Sequence, residues 1–250
     1  TLGGTKRMAI TRFKLDDTLR KALDSGITLL TPNYRLAASV LEAFGSASAT
    51  PSWREPNVIP VDIWIAQVWE MLSIRGLSPY VDLDILEPSL ERELWLEAVE
   101  QTREEHPLID ASAMARIASR AFQDLRRASA ESSVHWLQEY DYLDDVALFN
   151  MWQTHFLSRC GALGRITLVE ATSLLSQKLD APSIDLLGDI ATLNFYETPA
   201  NYRALFERLS EHTSLRGFLT LDKSRFSETP NDLLAENNVT AYRTEFKEQA

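Results

Sequence analysis

The hydrophobic pattern near the start of the chain predicts a strand, a tight loop and a helix. Residues 27–30 form a short apolar run that stops at residues 31–33. Apolar residues then recur three and four positions apart, from residue 36 to residue 44. A short apolar run is typical of a buried strand, and the later spacing is typical of one face of a helix. A further helix over residues 11–24, ended by a glycine, precedes this unit.

The next stretch repeats the same plan in a weaker form. Residues 58–61 are an apolar run, and Asp62 follows as a candidate helix N-cap. Trp64, Val68 and Leu72 then share one helical face. Because large aromatic side chains dominate core burial, we expect the tryptophans of this helix to pack inward.

The middle of the chain, from about residue 85 to residue 180, carries helical patterns and no strand pattern. The strand pattern returns at residues 184–187, and a second short run follows at residues 217–221. Strands separated by helices favour a parallel sheet. The sequence therefore predicts a helix-rich α/β fold with a large all-helical insertion. The predicted parts are residues 9–80, 81–180 and 181–250.

Composition narrows the class of protein. The 250 residues are 45% hydrophobic and 24% charged, with a net charge of -11 and one cysteine, Cys160. The acidic balance argues against a broad non-specific nucleic-acid surface, and any DNA contact has to be local. We expect a cytoplasmic protein without a membrane span, because the chain has no long apolar run and no cysteine pair. Residues 1–8 resemble an added leader, and the charged end suggests a piece of a longer chain.

The loop at residues 31–35 has the layout of a phosphate-binding loop without its glycines and lysine. Thr31, Asn33 and Arg35 predict a vestigial anion or nucleotide loop, and the alternative is an ordinary capped turn before a helix. A nucleotide site of this type also needs a carboxylate after a second strand. Asp189 is the candidate for that vestigial Walker B position, and Glu197 lies further along the chain. Because the lysine is missing, we expect no cofactor.

The remaining residues offer few signs of catalysis or metal binding. The four histidines and the cysteine show no metal-ligand spacing, so no metal site is expected. Four arginines lie on one predicted helix and are candidates for DNA contact, although an ordinary solvated face is the alternative. They are Arg116, Arg120, Arg126 and Arg127.

The order of these motifs resembles a known bacterial family. The stretches LLTPNYRLAASVLEAF, VIPVDIWIAQVWEML, LEPSLERELWLEAV and IDLLGDIATLNFYETPANYRALFERL occur in this order. Together they resemble the N-terminal part of the AddB-like "probable DNA repair protein" family, over roughly residues 11–220 of this chain. Thr31, Asn33, Arg35 and Leu36 match the degenerate first loop of that family. The separation of Asp189 from Glu197 departs from the acidic pair that the family tends to show.

The resemblance implies a P-loop-like, superfamily-one helicase-like domain that has lost its nucleotide chemistry. It also implies a PD-(D/E)XK nuclease domain beyond residue 250, so no catalysis is expected within this chain. The expected role is structural, with contacts to DNA or to other domains or subunits of a repair complex. Two alternatives stay open: a motor domain that binds ATP in a non-standard way, and a helical protein-interaction module without a sheet.

Overall fold

The computed structural model describes the chain in seven parts, and every structural statement below concerns these parts. They are residue 13 and residues 15–47, 54–102, 110–128, 144–196, 198–211 and 215–218. The helices are α1 (Asp17–Asp24), α2 (Tyr34–Ala47), α3 (Val61–Ile74), α4 (Pro88–Glu100), α5 (Ala111–Ala128), α6 (Asp144–Ala162), α7 (Leu168–Lys178), α8 (Ala181–Asp185) and α9 (Ala200–Ser210). The strands are β1 (Thr28–Thr31), β2 (Val58–Pro60), β3 (Asp84–Ile85), β4 (Arg165–Ile166), β5 (Ile190–Leu193) and β6 (Leu215–Phe218).

A four-stranded parallel sheet organises the fold. Its strand order is β2-β1-β5-β6, with Leu29 level with Val58 on one side and with Ala191 on the other. The chain leaves β1 in one direction to form β2 and returns on its other side to form β5. The order of the strands therefore reverses between β1 and β5, and crevices at the carboxyl ends of parallel strands open at such a point.

The two faces of this sheet carry separate apolar cores. Leu29 packs with α1 and α2 on one face, while its neighbour Leu30 packs with α3, α7 and α9 on the other. This division follows from the strand geometry, because successive side chains point to opposite faces. Trp64 and Trp69 of α3 are buried, as the helical pattern predicted. The fold is thus a helix-rich α/β structure with helices on both faces of a small parallel sheet.

Helices α4, α5 and α6 form a third core of their own. Three aromatic rings lie at its centre, with the rings of Trp95 and Phe156 stacked 4.2 Å apart and Phe122 beside both. The short parallel pair of β3 and β4 brings the entry and exit of this helical unit together. Helix α7 follows this pair and packs mainly with α9 and α3. The helices with a separate core therefore lie between residues 88 and 162.

The structure corrects several local predictions. The apolar run at residues 184–187 is not a strand, because its first half lies in the short helix α8 and the strand β5 begins at Ile190. Asp62 is not an N-cap, since α3 begins one residue earlier, at Val61. The strand predicted at residues 217–221 begins earlier, because β6 spans Leu215–Phe218, and residues 219–221 lie outside the described residues. A helical module without a sheet is excluded by the parallel sheet.

Burial makes the lone cysteine unreactive in the folded chain. Cys160 on α6 is 2% exposed, and burial raises the pKa of its thiol to about 12, with Glu170 and Glu91 adding to the effect. The thiolate is the nucleophile, so we expect almost no labelling by a thiol reagent at pH 8 until the protein unfolds. The rate of labelling with and without urea measures this. Rapid labelling of the native protein would contradict the burial of α6.

Candidate nucleic-acid interface

The loop after β1 is a capped turn. The Thr31 hydroxyl donates to the backbone carbonyl of Asn33, and the Asn33 side chain accepts from the backbone N–H of Leu36. Asn33 therefore caps α2 and occupies one of the N–H groups that a phosphate would need. Thr31 is buried, whereas Arg35 points into solvent on the first turn of the helix. The three predicted loop residues do not converge on a common site.

Asp189 lies at the wrong end of its strand for the predicted Walker B position. It precedes β5, and its backbone carbonyl accepts from the N–H of Thr28 at the amino end of β1. Thr31 is three residues further along β1, which places it about 10 Å away along the sheet. A metal ion held near Thr31 is out of reach of Asp189. Glu197 lies outside the described residues.

The residue that follows β5 at its carboxyl end is Asn194. Its φ of 59° lies in the left-handed region, which asparagine adopts more readily than most other residues. The Tyr196 hydroxyl donates to the Asn194 side-chain oxygen over 3.2 Å. An amide and an aromatic ring therefore occupy the place where the sequence predicted a carboxylate.

A crevice of about 380 Å³ opens at this edge of the sheet, where the strand order reverses. The segments that follow β1 and β5 and parts of the helices α3, α5 and α9 contribute to it. The lining includes Pro32, Asp62, Arg127, Asn194, Tyr196 and Tyr202. Arg127 reaches the crevice from the last turn of α5, so the helical unit and the sheet build this site together.

Asp62, Tyr202 and Arg127 form a polar cluster in the crevice. The Tyr202 hydroxyl donates a short hydrogen bond to the Asp62 carboxylate, across 140 positions of sequence. Burial raises the pKa of Tyr202, the adjacent Asp62 raises it further, and Arg127 opposes the shift through its charge and a hydrogen bond. The tyrosine therefore keeps its proton at physiological pH and holds Asp62 in place as a fixed acceptor.

A second, larger groove lies between α4 and α5 and is rich in arginine. Its volume is about 570 Å³, and it is lined by Arg92, Arg116, Arg120 and Arg127, together with Asp124 and Gln123 among others. Arg92 on α4 faces the arginines of α5 across the groove. Two carboxylates accompany the four arginines: Asp124 lies 3.8 Å from Arg120, and Glu91 accepts hydrogen bonds from the lining side chains of Ser119 and Gln123. This groove is a local positive site on a chain with a net charge of -11.

Three of the four arginines predicted to contact DNA lie in this groove. Arg116, Arg120 and Arg127 follow one face of α5 and span about 16 Å along its axis. Arg127 lines the crevice as well, so the groove and the crevice meet at its side chain. A ligand that followed the groove would therefore pass the mouth of the crevice.

Arg126 does not belong to this group. It lies on the opposite face of α5, where it is 8% exposed, stacks over the Phe122 ring and pairs with Glu170 at 4.0 Å. A guanidinium in this position joins α5 to α7 and cannot reach a phosphate in solvent. Its inclusion among the DNA-contacting residues is wrong, because Ala115, Ala118 and Phe122 place position 126 on the buried face.

No three His, Cys, Asp or Glu side chains in the described ranges come close enough to hold a metal ion. His155 contacts Glu97 on α4, and the other three histidines lie outside the described residues. Within the same ranges, no helix is both long enough and apolar enough to cross a membrane.

Sequence reasoning missed the crevice residues Asp62, Asn194 and Tyr202. Correct placement of β5 would have given the position of Asn194, because this residue comes directly after the buried run at residues 190–193. Comparison with known proteins gave neither a matching family model nor a match among curated proteins.

Proposed function

We propose that this chain is a helicase-like, P-loop-like domain that contacts single-stranded DNA within a repair or recombination protein and hydrolyses no nucleotide. The observation that carries the proposal is the arginine groove between α4 and α5, which concentrates positive charge on an otherwise acidic chain. Arginine is the side chain best suited to phosphate, because its planar guanidinium donates two parallel hydrogen bonds. A narrow positive groove guides a phosphate backbone without reading its sequence.

The fold supports the helicase-like part of this proposal. A βα unit follows the central strand β1, and a helical unit is inserted between β2 and β5. The motif order of the sequence is similar to that of AddB-like repair proteins. In this proposal the loop after β1 has become a capped turn, as the contacts of Thr31 and Asn33 indicate.

The groove is tested with a matched pair of double variants. Arg116→Ala with Arg120→Ala removes two groove arginines. Arg54→Ala with Arg75→Ala removes the same charge from exposed positions that do not line the groove. We expect the groove variant to bind a single-stranded oligonucleotide about tenfold more weakly at low salt. The slope of log K against log salt should become shallower by about 1.4, because each phosphate contact contributes about 0.7.

Fluorescence anisotropy at several salt concentrations between about 50 and 200 mM measures both quantities. Equal losses of affinity in the groove and control variants would show that the effect comes from net charge, and this result would contradict the proposal. Absence of binding by the unmodified chain at the lowest salt would also contradict it.

The nucleotide part is tested separately by thermal unfolding with magnesium and ATP. A ligand that binds only the native state raises its stability, so a nucleotide held by the loop after β1 would raise the melting temperature in a way that depends on Arg35. We expect no such Arg35-dependent rise. A rise that disappears in Arg35→Ala would instead favour a motor domain that binds ATP in a non-standard way.

A further inference from the structure

The crevice at the carboxyl edge of the sheet has the features of a site for one planar, polar ligand. It is concave, it lies where the strand order reverses, and its volume of about 380 Å³ suits a small molecule. Its wall combines aromatic rings with an aspartate and an arginine. Such a wall offers stacking to a flat ring and hydrogen bonds to its edge.

Tyr196 supplies an accessible ring at the crevice. Its side chain is 40% exposed, whereas Phe195 beside it is buried and anchors the segment in the core. The hydroxyl of Tyr196 bonds to Asn194, which fixes one end of the ring. An exposed, oriented aromatic ring is a stacking platform for a nucleobase, and such stacking tolerates any base.

Asp62 supplies the group that selects among bases. One of its carboxylate oxygens accepts from Tyr202, which positions the side chain in the crevice wall. An ionised carboxylate is an acceptor only, so it can bond to an amino group and repels a carbonyl oxygen. Adenine, cytosine and guanine carry an exocyclic amino group on the edge that pairs, whereas thymine and uracil present one ring N–H between two carbonyl oxygens.

Arg127 connects the crevice with the arginine groove. Its side chain lines both, so a phosphate held by Arg127 would place the attached base beside the crevice. We infer that the crevice binds one unpaired base that carries an amino group, stacked on Tyr196 and bonded to Asp62, with its phosphate on Arg127. The ligand is a free nucleotide or one residue of a strand that lies in the groove. The second of these sources rests on the proposed function.

The experiment uses the full chain and two kinds of probe. Adenosine and uridine monophosphate are titrated by calorimetry, and labelled oligo-dA, oligo-dT and an abasic strand of equal length are titrated by anisotropy. The variants are Tyr196→Ala, Tyr196→Phe, Asp62→Asn and the groove pair Arg116→Ala with Arg120→Ala. Because Tyr196 is 40% exposed, its removal should leave the fold intact, and Tyr196→Phe retains the ring.

We expect Tyr196→Ala to bind oligo-dA about tenfold more weakly than the unmodified chain, with the same slope of log K against log salt. The affinity of Tyr196→Phe for oligo-dA should stay within about twofold of that of the unmodified chain. The abasic strand should bind the unmodified chain and Tyr196→Ala equally. Oligo-dA should bind more tightly than oligo-dT, and Asp62→Asn should reduce that difference.

The outcomes separate this inference from the proposed function. If Tyr196→Ala and the unmodified chain bind oligo-dA equally while the groove variant binds it more weakly, the crevice inference is overturned and the proposed role of the groove is supported. If no strand binds but adenosine monophosphate binds in a Tyr196-dependent way, the crevice takes a free nucleotide and the groove proposal fails. If neither kind of probe binds, both are overturned.

Discussion

Replacing Trp95 with alanine should lower the free energy of unfolding by about 3–5 kcal/mol. The side chain is fully buried, and its ring stacks on Phe156 at 4.2 Å and lies 5.6 Å from Phe122. Removing the indole leaves a cavity at the one place where α4, α5 and α6 all meet. The free energy of unfolding of an ordinary domain is only about 5–15 kcal/mol, so such a loss is a large share of it. Urea unfolding followed by circular dichroism measures it.

Trp95→Phe is the matched control. It keeps an aromatic ring in the stack and removes an indole N–H that has no hydrogen-bond partner among the described residues. A buried donor without a partner is destabilising, so its removal offsets part of the lost packing. We expect a loss below about 1.5 kcal/mol. If Trp95→Ala were within about 1 kcal/mol of the unmodified chain, the aromatic core of the helical unit would not exist as described.

The same core positions the arginine groove. Arg92 lies on α4 and Arg116 lies on α5, and the two helices are held at their present distance by the residues around Trp95. Stability and binding are therefore linked in this unit. The described lining residues of the groove all lie on α4 and α5, so helix packing holds its charges at fixed spacing.

The sequence predicted a helix-rich α/β fold with a parallel sheet because strands and helices differ in period, but it missed the short pair of β3 and β4 within the insertion predicted to be all-helical at residues 81–180. The unit from β1 to α2 was predicted within a few residues, since a short apolar run, a polar break and a spacing of three and four are all present. The parallel sheet followed from the alternation of strands and helices. Both depend on local patterns, which a single sequence displays.

The error at residues 184–187 has a physical cause. A short apolar run fits a strand and a helical turn equally well, and periodicity alone cannot separate them. Helix-start signals were present, because Asp180 caps α8 through the N–H of Ser183 and a proline occupies the first turn. Reading them would have moved β5 to residue 190 and placed Asn194, not Asp189, at the carboxyl end of the strand.

Sequence patterns could not show that the residues of the candidate site lie together. Asp62 and Tyr202 are 140 positions apart, and their contact depends on the return of the chain to the far side of β1. Arg127 enters the same crevice from the helical unit. No local pattern carries this information, although the helical face of α5 does separate Arg126 from Arg116 and Arg120.

Replacing Glu170 with glutamine should cost about 3 kcal/mol of stability, because it leaves the buried guanidinium of Arg126 without its counter-charge. Glu170 pairs with Arg126 at 4.0 Å and also completes the capping box of α7, accepting from the Thr167 hydroxyl at 2.8 Å. Glutamine retains an acceptor for the cap, so this variant isolates the lost charge. Glu170→Ala removes the cap as well and should cost about 1 kcal/mol more.

The double variant Arg126→Met with Glu170→Gln distinguishes a pairing effect from general damage to the join between α5 and α7. Methionine fills a similar volume and contacts Phe122 without requiring a partner for a charge. We expect the double variant to recover most of the loss seen in Glu170→Gln, because removing both members of a buried pair costs less than removing one. The coupling energy from a double-mutant cycle in urea measures this. If the double variant is as unstable as Glu170→Gln, the loss comes from the cap or from packing, and Arg126 is not held in place by Glu170.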